Sequence, residues 1–324
     1  MNTQILEPTA LNILRCASRL KSGALVAFPT ETVYALGAVA TDENAVKKVY
    51  EVKGRPTDKP LIVAVAKKSA IDTVAVNIPE KARLLIDKFM PGALTLLLDR
   101  APCIPDIVTA GSDTVAVRIP NNEIALRLIE LTGKPVVVTS ANTADRASST
   151  LAAHVKEDLD GKIEFILDGG QSEIGIESTI IDVRAEPPTV IRGGGTSIAE
   201  IEAVIGKVQV KREKPALRLP EIEVLFSAYY EGMVGTICSK YDELVSEGKK
   251  PVIMCLEDNK NSYGDRKTVS VGSSYEDYAH NLFAVLRNAE SERYDAVIAE
   301  GVKSDGIGAS LIARLIKVSN GQII

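Results

Sequence analysis

The chain has 324 residues, 45% apolar and 25% charged, with 38 Lys and Arg against 43 Asp and Glu for a net charge of -5. That length predicts two domains of ordinary globular composition, and the acidic balance excludes a chain that coats nucleic acid along a basic face. Cysteines 16, 103, 238 and 255 form no C-x-x-C pair and have only His154 and His280 for company, which excludes a zinc framework.

An N-terminus without a basic start, and no uncharged apolar run of membrane length, predict a cytoplasmic enzyme with reduced thiols and no membrane partner. Leu11, Leu14, Ala17 and Leu20 fall at helical spacing and predict an amphipathic helix over 9–22, followed by a strand ending at Phe28. Directly after it comes Pro29-Thr30-Glu31-Thr32-Val33-Tyr34-Ala35-Leu36-Gly37, which sets hydroxyls, a carboxylate and a phenol at a strand tip. Such a place suits a ligand, although Thr30 or Thr32 capping the next turn is the structural alternative.

A helix over 42–52, opened by Asp42, leads into Lys53-Gly54-Arg55-Pro56-Thr57-Asp58-Lys59-Pro60. The three cations of this loop suit a polyphosphate, Arg as a planar fork and Lys as a point charge; an exposed charged turn is the other reading. Strands are predicted over 61–66, 94–98, 115–119, 135–139, 165–168 and 178–183, with helices over 79–89, 124–132 and 198–205. Arg118 interrupts an apolar strand and requires a carboxylate or a bound anion. Thr139-Ser140-Ala141-Asn142-Thr143 again places small hydrogen-bonding groups at a strand end, as a site for ribose, phosphate or an amino acid or simply as a turn. Glu177-Ser178-Thr179 enters another strand, and Ile191-Arg192 precedes Gly193-Gly194-Gly195, whose backbone has room to approach a ligand.

The alternation of strands and helices predicts an α/β or α+β fold with a mixed sheet over 1–206. A basic linker, 207–222, carries Lys207, Lys211, Arg212, Lys214 and Arg218, and reads either as a solvated tether or as a strap over phosphates. A smaller doubly wound, Rossmann-like domain fills 223–324, with strands over 233–238, 251–256, 268–271 and 294–299 and helices over 275–289 and 309–318. No G-x-G-x-x-G or P-loop pattern is present, and neither histidine accompanies a nucleophile motif, so catalysis by positioning and electrostatics fits best.

PTETVYALG, KGRP with PLIV, PGALTLLL, VRIP, TSAN and STIID, in this order, resemble the YrdC-like family, and the C-terminal unit resembles its long, two-domain form. The resemblance implies a twisted mixed sheet and the condensation of L-threonine, bicarbonate and ATP, with Mg²⁺, into L-threonylcarbamoyladenylate and pyrophosphate. The product supplies the modification of position 37 in certain tRNAs through separate threonylcarbamoyl transferase proteins, without stable tRNA binding by this chain. It further implies that Thr32, Arg118 and Ser178 hold L-threonine, that Arg55, Lys59, Thr114, Ser140, Asn142, Ser148 and Arg192 hold the nucleotide, and that Lys53 and Arg55 serve catalysis. The chain departs from the family pattern at Ala35, Lys59, Ala64, Asp145 and Gly193, and in lacking a histidine-tyrosine-proline strap in the linker. A noncatalytic nucleotide- or RNA-binding member of the same fold is the competing reading.

Overall fold

The computed structural model describes residues 2–144, 146–211 and 222–324. The chain divides into two compact units, Met1–Ala144 with Ser148–Lys211, and Asp145–Ala147 with Arg212–Ile324.

In chain order the first unit comprises β1 (Gln4–Leu6), α1 (Ala10–Lys21), β2 (Val26–Phe28), β3 (Ala35–Val39), α2 (Glu43–Lys53), β4 (Ile62–Ala64), β5 (Ala75–Val76), α3 (Glu80–Phe89), β6 (Leu94–Arg100), α4 (Asp106–Thr109), β7 (Thr114–Arg118), α5 (Glu123–Thr132), β8 (Val136–Ser140), α6 (Ala152–Leu159), β9 (Phe165–Leu167), β10 (Thr179–Asp182), β11 (Thr189–Arg192), α7 (Ile198–Ile205) and β12 (Gln209–Val210). The strands form one mixed sheet in the order β1-β9-β2-β3-β8-β4-β7-β6-β10-β11-β12, with β5 paired to β6. Parallel pairs such as β4 with β7 and β6 with β10 stand in it beside antiparallel pairs such as β3 with β8 and β6 with β7.

Both faces of the sheet are covered, which is why its central strands read as unbroken apolar runs. Successive residues feed different cores: Ala27 and Leu36 join Val46, Val49 and Leu85 on one side, while Val26, Phe28 and Val39 join Ile13, Ala17 and Leu20 on the other. The helix boundaries aim the loops of interest. The Asp42 carboxylate accepts from Asn44 and Ala45 at the start of α2, and Gly54, at φ 61°, ends that helix and turns the chain into the cationic loop.

The expected mixed α/β architecture is observed, with local differences. Ala35-Leu36-Gly37 belongs to β3 rather than to a polar loop, and β1, β11, β12 and α6 add to the expected elements. The start of the basic linker supplies β12, in parallel register with Thr189 and Val190. Arg212, Lys214 and Arg218, which carry the strap reading, lie outside the described residues, as does Asp145.

The second unit has its own all-parallel sheet in the order β13-β16-β14-β15, built from β13 (Glu223–Phe226), α8 (Met233–Ser246), β14 (Pro251–Cys255), β15 (Thr268–Ser270), α9 (Tyr275–Ser291), β16 (Ala296–Ala299) and α10 (Gly308–Val318). The strand expected over 233–238 is instead the first half of α8, and the sheet's first strand lies upstream at Glu223–Phe226. Met233, Ile237 and Leu244 are buried along α8 and pack with Leu225, Ile253 and Ile298; that helical stripe overrides the β-branched local composition. Within this unit Arg146 pairs with Glu290 at 2.7 Å, and Arg287 donates to the Ala147 carbonyl at 2.5 Å. Among the described residues no helix is long and apolar enough to cross a membrane.

Candidate active site

Arg118 ends β7 with its side chain only 7% exposed, and its donors have separate destinations. Nε donates to the Gly92 carbonyl at 3.2 Å, Nη1 donates to the Thr32 hydroxyl at 2.9 Å, and Nη2 lies 2.8 Å from the Glu31 carboxylate. Thr32 in turn shares a 2.9 Å hydrogen bond with Thr30, which donates to the Val33 carbonyl at 2.6 Å. Of the two partners the sequence allowed for this arginine, a carboxylate or a bound anion, the carboxylate is present, in the first motif itself. Ala64 is the Cα partner of Arg118 across β4 and β7.

The next residue along, Ala93, accepts from the Thr179 amide, so the glycine that receives Arg118 lies beside the start of β10 and its preceding Ser178. Ser178 is 1% exposed and shares a 2.8 Å hydrogen bond with Thr95 of β6. Arg192, closing β11, donates twice to the Ser178 carbonyl, at 3.1 and 2.8 Å, and once to its hydroxyl at 3.1 Å. Gly194 permits this approach: a Cβ there would stand 2.2 Å from the Glu177 carbonyl oxygen and 2.4 Å from the Ser178 carbonyl carbon. That glycine thus serves the packing of two backbone segments. Ser148 adds a 2.7 Å donation to the Glu177 carboxylate, which brings its loop to the same edge.

Lys53 occupies the underside of the Thr139–Asn142 segment. Its ammonium donates to the carbonyls of Ser140 and Asn142, while its own carbonyl accepts from Ala144. Burial, with Arg55 acting in the same direction, lowers its pKa to about 7. Asp158 of α6 holds the other side of this loop by accepting from the Thr143 amide at 3.1 Å. The loop is tied to the first motif through Ala141 donating to the Tyr34 carbonyl, Tyr34 donating to the Ser149 carbonyl, and Ser149 bonding back to Ala141 at 3.0 Å. The Tyr34 phenol donates to the Gly170 carbonyl at 2.8 Å and accepts from Gly169 at 3.0 Å, so this part of the motif serves the scaffold.

Arg55, Lys59 and Thr114 stand apart from these hydrogen bonds among the described residues. Arg55 donates to the Lys59 and Pro60 carbonyls at 3.3 and 3.1 Å, which braces its own loop, and burial pushes its pKa down. Lys59 is exposed. Thr114 hydrogen-bonds Ser112 at 2.8 Å. Sequence reading missed Thr95, Glu177 and Asp158 as site partners and left Glu31 without a role. Each acquires its place through a strand or loop remote in sequence, and the adjacency of Glu177 to Ser178 was the only local signal.

The site's segments and both units have relatives. A family model described as "Telomere recombination" matches residues 18–194, and one described as "Threonylcarbamoyl-AMP synthase, C-terminal domain" matches residues 197–319. The chain is 42% identical to the threonylcarbamoyl-AMP synthase of Pyrococcus abyssi over 95% of this chain and 94% of that one, and 39% identical to that of Bacillus subtilis over 96% and 94%. The crystal structure of P. abyssi Sua5 complexed with L-threonine is similar at a TM-score of 0.92 and 39% identity, covering 100% of this chain and 98% of the other.

Proposed function

The chain belongs to the threonylcarbamoyl-AMP synthase family, and from that premise we propose which of its residues carry the reaction. The reaction is the synthesis of L-threonylcarbamoyladenylate from L-threonine, bicarbonate and ATP with release of pyrophosphate, in the service of tRNA modification. The observation that carries the residue assignment is the convergence of Thr32, Arg118 and Ser178 through the Gly92–Ala93 backbone, with Arg192 bonded to Ser178.

In this reading Arg118 pairs with the threonine carboxylate, and Thr32 and Ser178 supply hydroxyls around it. Arg192, Ser148, Ser140, Asn142, Thr114, Arg55 and Lys59 line the path of the nucleotide. Lys53 shapes the Ser140–Asn142 backbone from below, since its donors are committed to those carbonyls. The amino acid's nitrogen forms a bond to the carbon of bicarbonate, losing protons as water leaves. A carbamate oxygen then attacks the α-phosphorus, and the bond to the bridging oxygen breaks to free pyrophosphate. Arg192 and Arg55 offset the charge gathering on the phosphates, with no covalent enzyme intermediate.

Among the described residues no group of three or more His, Cys, Asp or Glu side chains is arranged to hold a metal ion. Mg²⁺ entering with ATP would supply charge neutralisation at the phosphates. The four cysteines are unpaired thiols, consistent with the cytoplasmic setting we propose. Separate threonylcarbamoyl transferase proteins would consume the product.

The decisive measurement is pyrophosphate release with ATP and Mg²⁺, adding L-threonine and bicarbonate singly and together. Release only with both is expected, and Arg192→Ala should lower it at least about tenfold through loss of a charged hydrogen-bond donor. Release independent of threonine would overturn the assignment.

A further inference from the structure

Glu31 is 3% exposed, yet among the described residues neither of its carboxylate oxygens accepts a hydrogen bond, and Arg118 Nη2, 2.8 Å away, donates none. An ionised carboxylate accepts through about four lone-pair sites, so a buried one facing a single nitrogen has capacity to spare. The surrounding donors are already committed: the Thr30 hydroxyl to Val33, the other Arg118 nitrogens to Thr32 and Gly92. The site thus presents one positive and one negative group side by side.

From this geometry we propose that Glu31 is the acceptor for the substrate's α-ammonium group and restricts the site to zwitterionic amino acids. The proposal rests on the reading that Arg118 holds the substrate carboxylate. An α-amino acid carries its two charges on groups bonded to one carbon, close enough together to lie against the Arg118–Glu31 pair in the opposite sense. Laid against that pair, each pole meets its opposite and the net charge of the cluster stays at zero. A hydroxy acid of the same shape brings only its carboxylate, leaving it and Glu31 to share the single charge of Arg118 where solvent is excluded. Glu31 therefore contributes repulsion against the wrong ligand as well as attraction for the right one.

The test is calorimetric titration of the full chain with L-threonine and with 2,3-dihydroxybutanoate, which has a hydroxyl in place of the ammonium. Wild type should prefer threonine by roughly ten- to a hundredfold, the range of a hydrogen bond to a charged group. Glu31→Gln should lose most of that preference, by weakening threonine and strengthening the hydroxy acid, with ATP binding intact as evidence of folding. A wild-type preference below about threefold sinks the proposal even if the variant fails to fold. An unchanged preference in Glu31→Gln, with threonine binding lost in Arg118→Lys, overturns the role of Glu31 and leaves that of Arg118 standing. Failure of wild type to bind threonine at all removes the reading of the site and the proposal together.

Discussion

At Lys53 a buried cation sits where its charge is costly and its hydrogen bonds are useful. The side chain has lost most of its hydration, which lowers its pKa to about 7 from the 10.5 of an exposed lysine. A neutral amine still has two N–H donors, enough for the carbonyls of Ser140 and Asn142, so deprotonation leaves the loop held. Between the folded and unfolded pKa values the unfolded chain binds more protons, so the Lys53 contribution to stability is present in full above about 10.5 and is lost as pH falls to about 7. From pH 7 to pH 9 wild type should therefore gain about 2 kcal/mol over Lys53→Met in urea unfolding. Equal pH dependence in the two proteins would show that the amine stays charged. The sequence marked Lys53 as a site residue from its neighbours Gly54 and Arg55, marked Thr32 and Ser178 by their place beside strands, Arg118 as a cation interrupting an apolar strand, and Arg192 by the three glycines that follow it. It did not reveal that Lys53 faces backbone, or that Glu31 faces Arg118, because both facts depend on which strands become neighbours.

Among the elements, the connection from β11 to α7 shows how closely backbone packing governs the site. Gly194 lies against Glu177, Ser178 and Thr179 at distances that no Cβ tolerates, and the contacts are backbone atoms held in the sheet. Gly194→Ala must push this connection away from β10 and take Arg192 off Ser178. We expect a loss of about 1–3 kcal/mol in unfolding free energy together with weaker ATP binding. Gly235→Ala is the control: it lies inside α8 with no neighbouring atom within 4 Å of the new methyl, and should stabilise by up to about 1 kcal/mol. Unchanged stability and ATP affinity in Gly194→Ala would refute the packing argument. Helix α8 also marks where sequence reading failed at this scale. Val234, Thr236 and Ile237 gave a short apolar run the look of a strand, whereas the burial of Met233, Ile237 and Leu244 on one stripe follows from a sheet that the local run does not specify. By contrast α1, α5 and α9 were legible because they join strong periodicity to capping groups, Thr9, Asn122 and Ser274.

For the molecule as a whole, the large mixed sheet and the separate all-parallel sheet followed from the alternation of apolar runs and amphipathic segments, but the order of strands did not. Strands β6 and β10 pair across a gap of some eighty residues, and that pairing assembles Thr95, Ser178 and Arg192. Charge at this scale bears on the tRNA. With 43 acidic against 38 basic residues and a pI near 5.4, the chain lacks the excess cation that releases counterions from a phosphate backbone. A synthase acting on threonine, bicarbonate and ATP needs no such surface, because its product is itself a small adenylate for a later enzyme to use. We expect no retention of tRNA by the full chain at about 10 µM protein and 150 mM salt in filter binding, where nonspecific nucleic-acid binders hold on at about 1–100 µM. Retention that collapses steeply with added salt would instead locate a concentrated basic strip, for which the segment from Lys207 to Arg218, with five cations opposed by a single acid, Glu213, is the candidate. Alanine in place of Lys207 and Lys211 should then reduce the salt slope by about two.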